Sequence, residues 1–347
     1  MMQSNPILGT VVFLAGGVAA ATYLLPFRAV KGWRYETGWL VSVLAGWLAF
    51  PLVFDFFVVP DLWSVLAHGG WHVFARTIGF GMLWGVGALC WALMVRYLGV
   101  GLGLGIGAGL CAAIGTLLPP IASGNAASLV ATAGARTVLA GVGVSLVGIA
   151  CVGAAGRLKE SEMSEEAKKR AVAEYNFGKG IVTAIIAGFA SAGINFGLQG
   201  APEWERAAIS AGASPTWAGM PVLTVVLWGG VITQVAWVLW KCCCRADEAG
   251  LDVAARRGST LMNVALSVSV GIVGVMQFVL QKAGEPLMGE MRYISFAVLM
   301  ASAIFFSTGI GMLLGEWRGT SLRTRIVLAT GLAMLLVSFS LISVGGR

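Results

Sequence analysis

The sequence predicts an all-α integral membrane protein of ten transmembrane helices arranged as two inverted five-helix repeats. Three observations carry that expectation. The 347-residue chain is 58% apolar and only 11% charged, against about 25% charged residues in a soluble domain, and its mean hydropathy is +0.85. Its charges fall in short clusters separated by apolar stretches of about 20 residues, the length a helix needs to cross a bilayer core. A polar segment near the middle divides the chain into two apolar halves.

The apolar stretches place spans near 7–26, 37–59, 77–96, 98–118, 136–155, 179–198, 217–240, 260–282, 293–315 and 325–344. Helices are expected because backbone amides in lipid must be paired within the segment, and the alternation of a barrel strand is absent. The first span lacks a basic flank before it, and Leu25, Pro26 and Phe27 run directly into basic residues. It therefore reads as a retained helix and not a cleaved signal peptide. Only Arg96 supplies charge between the third and fourth spans.

The longest polar segment runs from Arg157 to Gly178, with Ser164 ahead of Glu165 and Glu166, and these four residues before Lys169 and Arg170. That pattern predicts a capped, ion-paired surface helix. Residues 1–156 then form a first five-helix repeat, 157–178 a cytoplasmic linker and 179–347 a second repeat. Five spans per half require related halves to be inverted in the membrane. Internal matches point the same way. Ala135 to Gly141 resembles Thr324 to Thr330; Ala15, Gly16 and Ala20 align with Ala187, Gly188 and Ala192; Gly85 and Arg96 align with Gly271 and Lys282. These registers set Tyr23 opposite Asn195 and Trp91 opposite Gln277.

Cytoplasmic loops retain Lys and Arg. Of the 23 basic residues, 17 fall on the side of the first-second, third-fourth, fifth-sixth, seventh-eighth and ninth-tenth connections. Both termini are therefore expected in the periplasm, and the net charge of +7 needs no nucleic-acid partner. Cys90, Cys111 and Cys151 lie within spans, and Cys242, Cys243 and Cys244 form a run at the end of the seventh. Reduced, structural thiols are expected, since three adjacent cysteines have the wrong spacing for zinc. No metal or cofactor is expected.

Glycine stands at every second position from Gly99 to Gly109. Without a preceding strand this is no dinucleotide loop; it is a segment that packs closely and bends easily. Among the acids only Asp55 falls inside an expected span, near its periplasmic end, and Glu36 opens the second helix beside Lys31 and Arg34. Both are candidates for proton coupling, Glu36 first and Asp55 second, because an ionisable group in lipid is functional by default; surface solvation of Asp55 and helix capping by Glu36 are the plainer readings. Tyr23, Trp84, Trp91, Asn195, Gln199, Asn263 and Gln277 are candidate substrate-binding residues. Flat aromatic rings pack on the C–H face of a sugar while amides and hydroxyls meet its hydroxyls. As a set they suit a neutral polar solute better than an ion.

The segments Tyr23-Leu24-Leu25-Pro26-Phe27-Arg28, Lys31-Gly32-Trp33, Glu36-Thr37 and Met94-Val95-Arg96-Tyr97-Leu98-Gly99 resemble the L-rhamnose–proton symporter family of the drug/metabolite transporter superfamily. Gly115-Thr116-Leu117, Gly124-Asn125, Asn176 with Lys179-Gly180, Ser191-Ala192-Gly193, Asn263-Val264, Gln277-Phe278, Ile294-Ser295 and Gly315-Glu316-Trp317 continue the likeness in order along nearly the whole chain. The resemblance implies a secondary transporter of a bacterial inner membrane that imports L-rhamnose or a similar deoxysugar with protons, by alternating access between inverted halves. Its partners are then the sugar, protons and the lipid bilayer. Ala88 and Cys90 stand where relatives near the characterised type carry amides, and Arg292 stands in place of an acid before Tyr293, which bears on the sugar recognised. Export or carriage of another small metabolite by the same fold, an intramembrane enzyme, and a structural or receptor-like membrane protein are the alternatives; against an enzyme stand two histidines in total and no acid cluster within a span.

Overall fold

The computed structural model describes residues 5–122, 124, 126–162, 176–244, 257–313, 315 and 317–345. The surface helix expected around Ser164 to Arg170, and with it most of the linker, lies outside them, as do Asn125 and Glu316.

The chain starts at a helix that its own residues cap. Asn5 Oδ1 accepts the Leu8 N–H at 3.1 Å, and Pro6 occupies the first turn of α1 (Pro6–Thr22), where a missing N–H costs nothing. A 3₁₀ turn (Leu25–Ala29) leads to α2 (Tyr35–Val43), a π-helical turn (Leu44–Ala49) and α3 (Phe50–Val58), together the second apolar span. The π turn precedes Pro51, which has no N–H to continue the α ladder. Short α4 (Leu62–Ala67) follows, and Gly69 and Gly70, both at positive φ, turn the chain into α5 (Gly70–Ala122). After α6 (Ala133–Glu162), Asn176 caps α7 (Phe177–Gln199) by accepting the Lys179 N–H at 3.0 Å. The amphipathic α8 (Pro202–Ser210), α9 (Met220–Cys244), α10 (Arg257–Gly284), a 3₁₀ stretch (Glu285–Ile294), α11 (Ser295–Leu313) and α12 (Leu322–Gly345) complete the described chain.

Among the described residues, nine helical segments are long and apolar enough to cross a membrane. The expected separate spans at 77–96 and 98–118 are instead one 53-residue helical run, α5. At 1.5 Å per residue a straight helix of that length would reach about 80 Å. It does not stay straight: Trp91 and Met94 side chains lie against Gly107, so the chain reverses between them, within the alternate-glycine run. The closely spaced glycines of that run let the backbone bend there. The described apolar part of the second arm is Ile106–Leu118.

Asn5 N–H donates to the Leu287 carbonyl at 2.9 Å, and Ser343 Oγ to Thr10 Oγ1 at 3.1 Å, so both described ends of the chain share one end of the bundle. The opposite end carries the Lys31–Asn263, Glu36–Lys241 and Lys159–Trp317 contacts. Large apolar side chains face outward, Phe57 and Leu313 at 85% exposure, as expected where the solvent is hydrocarbon.

Packing is built on small residues. Gly16 of α1 meets Leu299 of α11 and the backbone of Gln277 in α10; Gly188 of α7 meets Leu110 in the second arm of α5, while Gly193 meets Phe80 and Leu83 in the first. On α6 three glycines at seven-residue spacing, Gly134, Gly141 and Gly148, meet Gly345, Ile342 and Leu335 of an antiparallel α12. Helices gain no hydrophobic free energy from associating in lipid, so such backbone approach supplies the dispersion contact that holds them. Gly46 of the π turn is among the tight instances, seated on the Gly271 backbone. Gly46→Ala should lower the thermal midpoint of the detergent-purified protein, at a cost of about 1–3 kcal/mol for overpacking, whereas Gly109→Ala, which meets open space, should leave it unchanged.

Candidate functional site

Two features meet where the halves touch. The first is an aromatic ladder. Trp39 and Trp47 have ring centroids 5.9 Å apart, Trp47 and Trp84 4.4 Å, and Trp84 meets Phe278 edge-on at 5.6 Å. The ladder is anchored by amides: Trp39 Nε1 donates to Gln234 Oε1 at 2.9 Å, and Gln234 Nε2 to the Gly85 carbonyl at 2.9 Å. A buried indole usually finds such a partner for its N–H.

The second is a buried polar network toward the end that holds the termini. Asn195 Nδ2 of α7 donates to the Gly115 carbonyl on the second arm of α5, which joins the two halves. Gln281 Nε2 of α10 donates to Asn195 Oδ1 and to Ser295 Oγ, each at 3.2 Å, and Ser295 Oγ donates to Glu285 Oε1 at 3.1 Å. Charges close the network. Lys282 Nζ donates to Glu205 Oε1 at 2.6 Å, to Glu285 Oε2 at 2.8 Å and to the Leu198 carbonyl at 3.2 Å, and Arg292 pairs with Glu205 Oε2 at 2.8 Å. Lys282 and Glu285 are each about 1% exposed; buried charges are tolerable only when paired in this way.

The residues singled out in the sequence fall into groups. Trp84 is in the ladder and Asn195 in the network. Trp91 Nε1 donates to Ser191 Oγ at 2.6 Å, and its ring touches both main apolar clusters of the core. Tyr23 packs its ring on Gly274, whose carbonyl accepts Gln277 Nε2 at 2.7 Å. Gln199, one turn beyond Asn195, has a buried Nε2 with no partner among the described residues. Asn263 lies apart: its amide binds the Lys31 backbone at both ends, receiving the N–H at 3.2 Å and donating to the carbonyl at 2.7 Å. That is the geometry of a loop clamp at the opposite end of the bundle.

The two acids also separate. Glu36 is ion-paired with Lys241 at the end opposite the termini. Asp55 is not solvated at a membrane face as its position near the end of a span suggested; it is 1% exposed, with Oδ2 accepting from Thr224 Oγ1 at 2.6 Å and Oδ1 without a partner among the described residues. A helix end that α9 covers is not a surface, and the sequence has no way to express that cover. Among the described residues no group of three His, Cys, Asp or Glu side chains could hold a metal ion.

Sequence reasoning missed Gln281, Ser295, Glu285 and Glu205. Gln281 was legible as the i+4 partner of Gln277 on one helix face. Its neighbours were not, because Lys282 and Glu285 read as the charged end of a span, while helix geometry turns them inward.

Apolar surface outside, amides and aromatics between packed halves, and inward-turned charges define a multi-span membrane transporter. The chain belongs to the family described as L-rhamnose-proton symport protein (RhaT), whose profile matches residues 2–346. It is 31% identical over 346 residues to the L-rhamnose-proton symporters of Escherichia coli, Shigella flexneri and Cronobacter sakazakii, covering 99% of this chain and 99% of each relative. This is a family of transporters and not of enzymes.

Lys282→Met should be strongly destabilising, since it leaves the buried Glu285 carboxylate without its nearest cation, a loss of about 3–5 kcal/mol for one partner of a buried pair. A thermal melt in detergent reads it, and Lys282→Met combined with Glu285→Gln should recover a substantial part of the lost midpoint.

Proposed function

We propose that this protein imports L-rhamnose or a similar deoxysugar together with protons across a bacterial inner membrane. The observation that carries the reading is the match to L-rhamnose-proton symporters along the whole chain. The buried amides, hydroxyls and indoles at the contact of the halves support it, because they are the groups a neutral polyol needs.

Transport proceeds by alternating access between residues 1–156 and 179–347, two inverted five-helix repeats joined by the linker 157–178, with the second arm of α5 as the tenth crossing. Support for the repeat comes from reciprocal packing. The first helix of each half lies against the other half's middle helices, α1 on α10 and α11, α7 on both arms of α5. The last helices, α6 and α12, pair with each other. The end rich in Lys and Arg faces the cytoplasm and both termini face the periplasm.

Asp55 is the proton-coupling group. Its carboxyl is buried beside Thr224 with one oxygen unpartnered and, among the described residues, no cation paired with it. Glu36, held by Lys241, stabilises the cytoplasmic end. Tyr23, Trp84, Trp91, Asn195, Gln199 and Gln277 line the sugar path, and Asn263 acts on it through the Lys31 loop. One proton moving through 100 mV supplies about 2.3 kcal/mol, enough to concentrate a sugar roughly fiftyfold.

In cells lacking their own transporter, this protein should confer uphill uptake of labelled L-rhamnose that a protonophore abolishes. Asp55→Asn should abolish accumulation while retaining sugar exchange, and Glu36→Gln should retain protonophore-sensitive accumulation; the reverse pattern would transfer coupling to Glu36. A membrane-impermeant maleimide should reach the exposed Cys243 in inside-out vesicles and not in right-side-out ones.

A further inference from the structure

Within the buried polar network, one set of groups is left with open hydrogen-bonding capacity among the described residues. Gln281 is fully buried, both of its amide N–H bonds are spent on Asn195 and Ser295, and its carbonyl oxygen Oε1 has no partner among the described residues. An unpartnered acceptor in an apolar interior costs about 1–3 kcal/mol, and a protein free to lose that cost would place Leu or Met there. Asn195, also fully buried, spends one amide N–H on the Gly115 carbonyl and has a second to give. The two residues, linked through Gln281 Nε2 and Asn195 Oδ1, therefore offer one open acceptor and one open donor. A sugar hydroxyl, which both donates and accepts, needs both.

The surroundings fit a deoxysugar. The three side chains come from three helices, α7, α10 and α11, and the Gly115 carbonyl from a fourth, so the site spans both halves. Phe296, the neighbour of Ser295, lies against the Gly115 position and gives an apolar wall to a C–H face or a methyl group. Two more fully or nearly buried hydroxyls without partners, Thr116 and Tyr293, sit on the same segments, next to Gly115 and two residues before Ser295.

We propose that Gln281 is a specificity-determining residue that accepts a hydrogen bond from one substrate hydroxyl, with Asn195 donating to the same group and Ser295 fixing the Gln281 amide. The proposal rests on the sugar-transport reading above and adds to it the residue that selects among hydroxyl patterns. Ser295 acts as a positioning residue. It holds Gln281 Nε2 on one side and is itself held by Glu285 on the other, which fixes where Oε1 points.

Full-length protein in proteoliposomes tests this by KM values for L-rhamnose and for its singly deoxygenated analogues. In the wild type, removing the hydroxyl that Gln281 receives should raise KM about tenfold or more. In Gln281→Leu the KM for rhamnose should rise by a similar factor, and the penalty at that one hydroxyl should shrink to what Asn195 alone supplies while penalties at the others remain unchanged. Penalties that are the same in variant and wild type overturn the proposal, as does an equal loss for every sugar. If Gln281→Leu does not reach the membrane, Ser295→Ala carries the comparison: a reduced penalty at a single hydroxyl supports the site, and an unchanged pattern overturns it. A wild type that moves no L-rhamnose fails the transport reading and not this one. Thermal shift of the purified protein with a panel of 6-deoxyhexoses then decides. A sugar that stabilises the wild type and not the variant supports the site; equal stabilisation of both, or none of the wild type by any sugar, overturns it.

Discussion

Backbone-to-backbone contact at small residues is the constraint on which this architecture depends. Water drives the apolar stretches into the bilayer, but once there they gain nothing further by touching, since lipid is as apolar as leucine. Cohesion must come from surface fit, and the fit is closest where side chains are missing. Gly46 on Gly271, Gly81 on the Val226 and Gly229 backbone, Gly87 on Ser191 and the sevenfold glycine spacing of α6 against α12 are all contacts that a single methyl group would disturb. They also explain the composition: 49 glycines in 347 residues would be a liability in soluble helices and are an asset here.

Close packing has a second consequence. It brings polar side chains of different helices within reach of each other in a medium that offers them no water. Gln281, Asn195, Ser295 and the Lys282–Glu285–Glu205–Arg292 charges satisfy one another because the helices are near enough to let them. The few atoms they leave unpaired stand out for the same reason. In water an orphaned amide oxygen is unremarked, whereas in this interior it marks either strain or a ligand. Arg292 belongs to this account. It stands where the family resemblance suggests an acid, and it answers two carboxylates from the chain's own second half, so the exchange of sign is absorbed locally.

The fold was legible in the sequence to a large extent, and the site in smaller part. Spans expected at 136–155, 179–198 and 260–282 lie inside α6, α7 and α10, and most of 217–240 lies in α9, because hydropathy and bilayer thickness are both one-dimensional. The contact of Trp91 and Met94 with Gly107 within α5 was not legible, since evenly spaced glycines permit a bend without fixing where it falls. Trp84, Asn195 and Gln277 could be recognised as polar or aromatic groups inside spans, but nothing along the chain pairs Gln281 with Asn195, 86 residues away. Likewise, the position of Asp55 in the chain suggested a solvated membrane face, and only the cover of α9, 169 residues on at Thr224, buries it.

The sequence by itself determined the membrane environment, the positions of the helices, the bias of charge toward one side and the family. Each follows from the local content of the chain: hydropathy, charge and ordered short motifs. Tertiary structure decided which polar groups face each other, which acid is ion-paired and which is not, and where a buried acceptor is left open. Those properties depend on the rotation and separation of helices distant in sequence. Rotation and separation are set by steric fit between surfaces, and no property of a single helix encodes them.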